Sequence, residues 1–203
     1  HLFFDAIGVK KGDKIAICAT NSARWAVTFL AVNTYEAVIV PLLSEFTPDA
    51  VANLTHHSES IILFTDKEMW KRIDSSKVPG LRAVIAVSDF SILMAEKDVE
   101  DAYNSVESVF AAKYPDGLKP ENIHYNTDNW KNLAVINYTS GTTSAPKGVM
   151  LRYESLCASI DFAIRKIPAS FEDNIVSMLP MGHIYGMVFE FMYPLVSGVT
   201  VYY

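Results

Sequence analysis

Twelve consecutive residues, Tyr138-Thr139-Ser140-Gly141-Thr142-Thr143-Ser144-Ala145-Pro146-Lys147-Gly148-Val149, gather the densest set of reactive groups in the chain. Five aliphatic hydroxyls, two glycines and one lysine lie between two apolar runs. Small residues let backbone N–H groups approach an anion, the hydroxyls donate further hydrogen bonds, and Lys147 adds a full positive charge. That combination suits the oxygens of a polyphosphate. The spacing differs from the common phosphate loop G-x-x-x-x-G-K-S/T, because Pro146 precedes the lysine and Gly148 follows it. Val149-Met150-Leu151 reads as a strand, so the anion trap is expected in a hairpin-like loop rather than at a helix N-terminus. The plain alternative is a Ser/Thr/Gly-rich surface loop with a solvated Lys147.

A second stretch, Leu179-Pro180-Met181-Gly182-His183-Ile184-Tyr185-Gly186-Met187, carries a lone histidine. Taken by itself, such a residue is more often packed into a core than catalytic. Cys18 and Cys157 lie far apart in apolar stretches, with no CxxC pair and no Cys/His cluster at metal-ligand spacing. Both read as small core hydrophobes in a reducing cytoplasm. His56-His57 reads as a solvated last turn of a helix, where positive charge suits the dipole. Asp98, Glu100 and Asp101 read as a solvated acidic turn.

The elements that must position these groups follow a βα rhythm. With 17 Lys+Arg against 23 Asp+Glu, a net charge of −6 and 50% hydrophobic residues, the 203-residue chain is neither a disordered tail nor a nucleic-acid arm. The most apolar stretch, Met187 to Tyr203, is interrupted by Glu190, Pro194 and Gly198, so no membrane span is expected. Strands are expected at 14–19, 38–42, 61–65, 83–87, 133–138, 148–152, 175–179 and 199–203. Helices are expected at 23–35, 48–58, 106–113, 154–166 and 185–196, with a short one after Asp66. Asn21-Ser22 and Thr47-Pro48 are helix-start signals. Trp25, Phe29 and Val32 form a core stripe. The polar stretch from Ser88 to Trp130 reads as an excursion in which Val109, Phe110, Tyr114, Ile123, Tyr125 and Trp130 still have partners to bury against. The fold class is α/β, a mostly parallel sheet flanked by helices.

Thr139 to Gly148 resembles the phosphate-loop signature Thr-Ser-Gly-Thr-Thr-Gly-x-Pro-Lys-Gly of the adenylate-forming superfamily and departs from it only at Ser144. That superfamily includes acyl-CoA synthetases, luciferase and peptide-synthetase adenylation domains. Leu179 to Gly186 is similar to its Leu-Pro-x-x-His-x-x-Gly segment, and Gly8 to Leu42 looks like the opening of the same domain. Gly182 often carries a larger side chain in relatives, and Glu36 stands where relatives usually have glycine.

The resemblance implies a carboxylate that attacks the α-phosphorus of ATP to give acyl-AMP and pyrophosphate, followed by displacement of AMP by the thiol of coenzyme A to give a thioester. By resemblance, Ser140, Gly141, Thr142, Thr143, Ser144 and Lys147 hold the β- and γ-phosphates. Thr139 joins them and helps place Mg²⁺, and His183 lies at the mouth of the acyl pocket as the catalytic candidate. The substrates implied are a carboxylic acid, long-chain fatty acids first, with ATP and coenzyme A. No nucleic acid partner is implied, and oligomeric state and peripheral membrane contact stay open. Residues 1–203 read as part of the large N-terminal adenylation domain, truncated at both ends and lacking the C-terminal lid domain. The chain alone is therefore expected to be inactive. Alternatives are an aryl- or aminoacyl-adenylating relative and a non-catalytic nucleotide-binding module.

Overall fold

The computed structural model describes residues 1–139 and 146–203. After a short helix α1 (Leu2–Ala6), the chain alternates β1 (Lys14–Cys18), α2 (Ala23–Thr34), β2 (Val38–Leu42), α3 (Pro48–His57) and β3 (Ser60–Thr65). A turn of helix α4 (Lys67–Trp70) leads to β4 (Ala83–Ala86), β5 (Ile92–Ala95) and α5 (Lys97–Lys113). Then come β6 (Leu133–Thr139), β7 (Lys147–Arg152), α6 (Tyr153–Lys166), β8 (Asn174–Val176), α7 (Ile184–Met187), α8 (Tyr193–Ser197) and β9 (Thr200–Tyr202).

The main sheet runs β5-β4-β3-β1-β2-β6-β7, parallel from β4 to β6 with an antiparallel strand at each edge. Its central strands are largely apolar because helices cover both faces, and alternate residues supply two separate cores. Ile15, Ile17, Ile39, Ile62 and Ile85 point into one core with Trp25, Phe29 and Leu156. Ala16, Cys18, Val38, Val40 and Leu63 point into the other with Val51, Ala52 and Leu54 of α3. β8 and β9 pair in parallel as a separate small sheet.

Local signals explain most boundaries. Ser22 Oγ accepts the Trp25 N–H at 3.1 Å, and Thr47 Oγ1 accepts the Ala50 N–H at 3.3 Å ahead of Pro48. Each cap contributes on the order of 1 kcal/mol. Asn21, expected to share the capping, is used elsewhere, as described below. Trp25, Phe29 and Val32 are buried as expected.

Several expectations fail, each for a physical reason. Cys157 is exposed rather than in a core, because it lies on the outer side of α6. Asp98, Glu100 and Asp101 sit in the first turns of α5, which starts at Lys97 rather than Val106, and acidic groups there suit the helix dipole. β5 is an unforeseen antiparallel edge strand, only half buried. Val109, Phe110, Ile123, Tyr125 and Trp130 remain exposed. The single helix expected over 185–196 is instead α7, a π-helical turn Val188–Met192 and α8. Pro194 has no N–H to offer the Glu190 carbonyl four residues earlier, and the widened turn accommodates its ring.

Glu36 adopts φ +66°, a conformation that costs a non-glycine residue roughly 1–2 kcal/mol. Its buried carboxylate is ion-paired with Lys11 and accepts Asn126 Nδ2 at 2.9 Å, so it tethers the excursion to the turn that leads into β2. The Lys11 ammonium holds this carboxyl below the usual range despite the opposing effect of burial.

Candidate functional site

β6 and β7 pair antiparallel with Thr139 opposite Lys147 and Tyr138 opposite Gly148, so the loop expected to trap anions does join the strands of a hairpin. Thr139 and Lys147 are exposed at its mouth. Among the described residues, the ion pairs leave Lys147 out. Ser140, Gly141, Thr142, Thr143 and Ser144 lie outside the described residues. Tyr138 is 5% exposed, and its Oη lies 2.6 Å from His57 Nδ1. Thus His57, expected to be merely solvated, braces the strand that carries Thr139, while burial pushes the Tyr138 phenol above its usual range.

The histidine segment is brought to the same strand end. Asn137, 4% exposed and two residues before Thr139, donates Nδ2 to the Gly182 carbonyl at 2.9 Å. Gly182 also packs against the end of β2, where an added Cβ would lie 2.7 Å from the Leu42 carbonyl oxygen. At Gly186 an added Cβ would overlap the Pro180 carbonyl. These close approaches explain both glycines: the segment folds flat across the carboxyl ends of β2 and β6. In an open parallel sheet, that is where ligands bind.

His183 itself is exposed and caps α7. Its Nδ1 accepts the Tyr185 N–H at 3.2 Å, so in the neutral ring the proton sits on Nε2 and is free to be donated. The residue is not a packed core histidine. Beside it lies an open groove of about 450 Å³, lined by Phe162, His183, Ile184, Tyr185, Val188 and Phe189. Tyr185 and Phe189 form an aromatic pair with centroids 4.5 Å apart. The site therefore offers a cation and a hydroxyl at the hairpin mouth, a hydrogen-bond donor at His183 and an apolar trough.

Three positioning groups were missed by sequence reasoning. Asn21 Nδ2 donates to the Leu179 carbonyl at 2.8 Å and to Ser177 Oγ at 3.0 Å, and its Oδ1 accepts the Met181 N–H at 2.8 Å. Glu190 Oε2 accepts the Met178 and Leu179 N–H groups at 2.7 and 2.8 Å. Asn137 is the third. For Glu190 a signal existed, since a carboxylate inside an apolar run must find partners when buried. Nearby Cys18 is excluded as a nucleophile: burial, reinforced by Asp66 and Glu45, pushes its thiol up to about 12.

Among the described residues no cluster of His, Cys, Asp or Glu could hold a metal by itself. The donor chemistry nevertheless fits Mg²⁺ carried by a nucleotide, which keeps most of its waters and phosphate ligands and needs few protein oxygens, here the Thr139 hydroxyl.

The fold is that of known adenylate-forming enzymes. The solved structure of an anthranilate CoA ligase in complex with anthranoyl-AMP superposes with a TM-score of 0.80 at 15% identity, over 100% of this chain and 37% of that one. The family model described as AMP-binding enzyme matches residues 2–203, and the chain belongs to that family. It is 31% identical over 196 residues to a chloroplastic long-chain-fatty-acid acyl-carrier-protein ligase of Arabidopsis thaliana, covering 91% of this chain and 27% of the relative. It is 29% identical over 199 residues to a probable CoA ligase of Humulus lupulus, covering 97% of this chain and 34% of the relative. The chain thus spans about a third or less of the curated relatives it matches. No described helix is long and apolar enough to cross a membrane.

Proposed function

We propose that this chain is part of the large adenylation domain of a longer ligase, completed by a lid domain, that activates a carboxylic acid with ATP and passes the acyl group to coenzyme A. The observation that carries this reading is the Asn137 hydrogen bond to Gly182, which ties the hairpin of Thr139 and Lys147 to the segment of His183 in one crevice. Lys147, with Ser140, Gly141, Thr142, Thr143 and Ser144, holds the β- and γ-phosphates, and positioning plus electrostatic stabilisation do most of the catalytic work. Thr139 would hold Mg²⁺, which would supply positive charge to the phosphates when bound. His183 donates Nε2–H to the carboxylate and orients it toward the α-phosphorus.

The trough beside His183 favours an acid with an apolar tail, and the fatty-acid ligase among the relatives makes a long-chain fatty acid the first choice. The Tyr185–Phe189 pair gives a second reading, a flat aryl acid stacked on its rings. A cytoplasmic setting goes with the reduced cysteines and is part of this proposal.

The test is exchange of radiolabelled pyrophosphate into ATP by the full-length protein, with fatty, aryl and amino acids. Exchange dependent on fatty acids supports the first reading, and exchange dependent on aryl acids the second. ATP binding with no acid-dependent exchange would replace both with a non-catalytic nucleotide-binding module.

A further inference from the structure

Residues 177–182, which lead from β8 to His183, form neither helix nor strand. Met178 and Leu179 are exposed but Met181 and Gly182 are buried, and backbone groups withdrawn from water must find partners. Here three side chains supply them. The Leu179 carbonyl and Met181 N–H go to Asn21, the Met178 and Leu179 N–H groups to Glu190, and the Gly182 carbonyl to Asn137. Asn21 stands in the loop after β1 and Glu190 in the π-helical turn, so they grip the segment from two separate elements.

Both grips hang on one aromatic cluster. Asn21 precedes the capping Ser22 of α2, whose Trp25 is fully buried and stacks on Phe29 at 5.7 Å. Phe191, next to Glu190, meets Trp25 and Phe29 edge-on at 6.1 and 5.3 Å. The π-helical turn turns Phe191 into that cluster and the buried Glu190 carboxylate toward the segment at once. An irregular segment is thereby held at positions two to five residues before the histidine at its end.

We infer that Asn21 and Glu190 are positioning residues that set His183 against the acid substrate. The inference rests on the function proposed above. The nucleotide side of the crevice hangs on β6 and β7 instead, so loosening the clamp separates the two substrates kinetically. A misplacement of about 1 Å at a reacting group can cost about a hundredfold in rate.

The experiment uses the full-length protein and acid-dependent pyrophosphate exchange. Glu190→Ala and Asn21→Ala are each expected to lower kcat/KM for the acid by about tenfold to a hundredfold, with KM for ATP changed less than about twofold. Glu190→Gln keeps an acceptor oxygen and is expected to restore most of the loss. In a His183→Ala background, Glu190→Ala is expected to add almost nothing, because the clamp acts through that residue. Equal losses for ATP and acid, or a full Glu190→Ala effect without His183, would overturn the inference and leave the clamp as general support. If either alanine variant fails to fold, Asn21→Asp, which keeps the acceptor for Met181 but loses both donated bonds, carries the same comparison. Acid-dependent exchange by the unmodified protein with unchanged variants refutes the clamp alone. No exchange by the unmodified protein refutes the function beneath it.

Discussion

Gly182→Ala puts one methyl group where the backbone leaves no room. The added Cβ would lie 2.7 Å from the Leu42 carbonyl oxygen and 3.0 Å from its carbon, so it must retreat about 0.7 Å to reach ordinary contact near 3.4 Å. The atoms it meets belong to the end of β2, fully buried in the sheet, and the His183 segment is therefore the part that moves. Overpacking of this kind costs about 1–3 kcal/mol. The same movement stretches the Asn137–Gly182 hydrogen bond, worth about 1 kcal/mol. Together the loss is about 2–4 kcal/mol, or a melting point lowered by about 4–16 °C in a unit of this size. Because the displacement occurs beside His183, acid-dependent exchange by the full-length ligase should fall at least tenfold while KM for ATP holds. The control is Gly80→Ala, whose Cβ would meet nothing within 4 Å and whose effect should be neutral or slightly stabilising. A Gly182→Ala variant with the melting point and acid kinetics of Gly80→Ala would refute the flat packing of this segment on β2.

Lys147→Ala removes an exposed charge from an edge strand, so stability should change by less than about 0.5 kcal/mol while pyrophosphate exchange falls about tenfold to a hundredfold. Unchanged exchange would remove the hairpin from the nucleotide site. Glu36→Gly relieves the strained φ but releases Lys11 and Asn126, so unfolding by urea should shift by less than about 1 kcal/mol while proteolysis between Pro115 and Trp130 accelerates. Equal cleavage rates would show that Glu36 does not tether the excursion. Since its folded-state pKa is depressed, the stability Glu36 contributes is present above the ordinary glutamate pKa of about 4.3 and is lost as pH falls through the lower folded value. In acid titrations the unmodified protein should therefore lose stability below that pH more steeply than Glu36→Gln. A thiol reagent at mild alkaline pH should modify exposed Cys157 first and Cys18 only on unfolding, and equal rates at both would contradict the burial assigned to Cys18.

The parts of the fold that were legible in the chain are those decided by local chemistry. β2 was expected at its observed limits because Val38 to Leu42 is apolar at every position, as a strand covered on both faces must be. Ser22 and Thr47-Pro48 announced α2 and α3 through caps that need no tertiary information. By contrast, β5 is short, half buried and rich in residues that also suit helices, so its pairing with β4 depends on contacts rather than composition. The first turns of α5 bury only Val99 and Ala102, too thin a stripe to register as a helix. Thr139, Lys147 and His183 stood out by type and spacing. Asn21, Asn137, Gly182 and Gly186 did not, because what each does is set by backbone groups distant in the chain, 45 residues away for Asn137 and 158 for Asn21, or by a fold-back within its own loop.

The central claim is that the acid attacks the α-phosphorus of ATP in the crevice between the hairpin and His183. The most direct measurement follows heavy oxygen from a labelled carboxylic acid through one turnover of the full-length protein with ATP, Mg²⁺ and coenzyme A. Adenylation predicts that one labelled oxygen leaves in AMP, with label transfer suppressed in Lys147→Ala and His183→Ala. Label in inorganic phosphate, accompanied by ADP, would mean attack at the γ-phosphorus and would contradict the account.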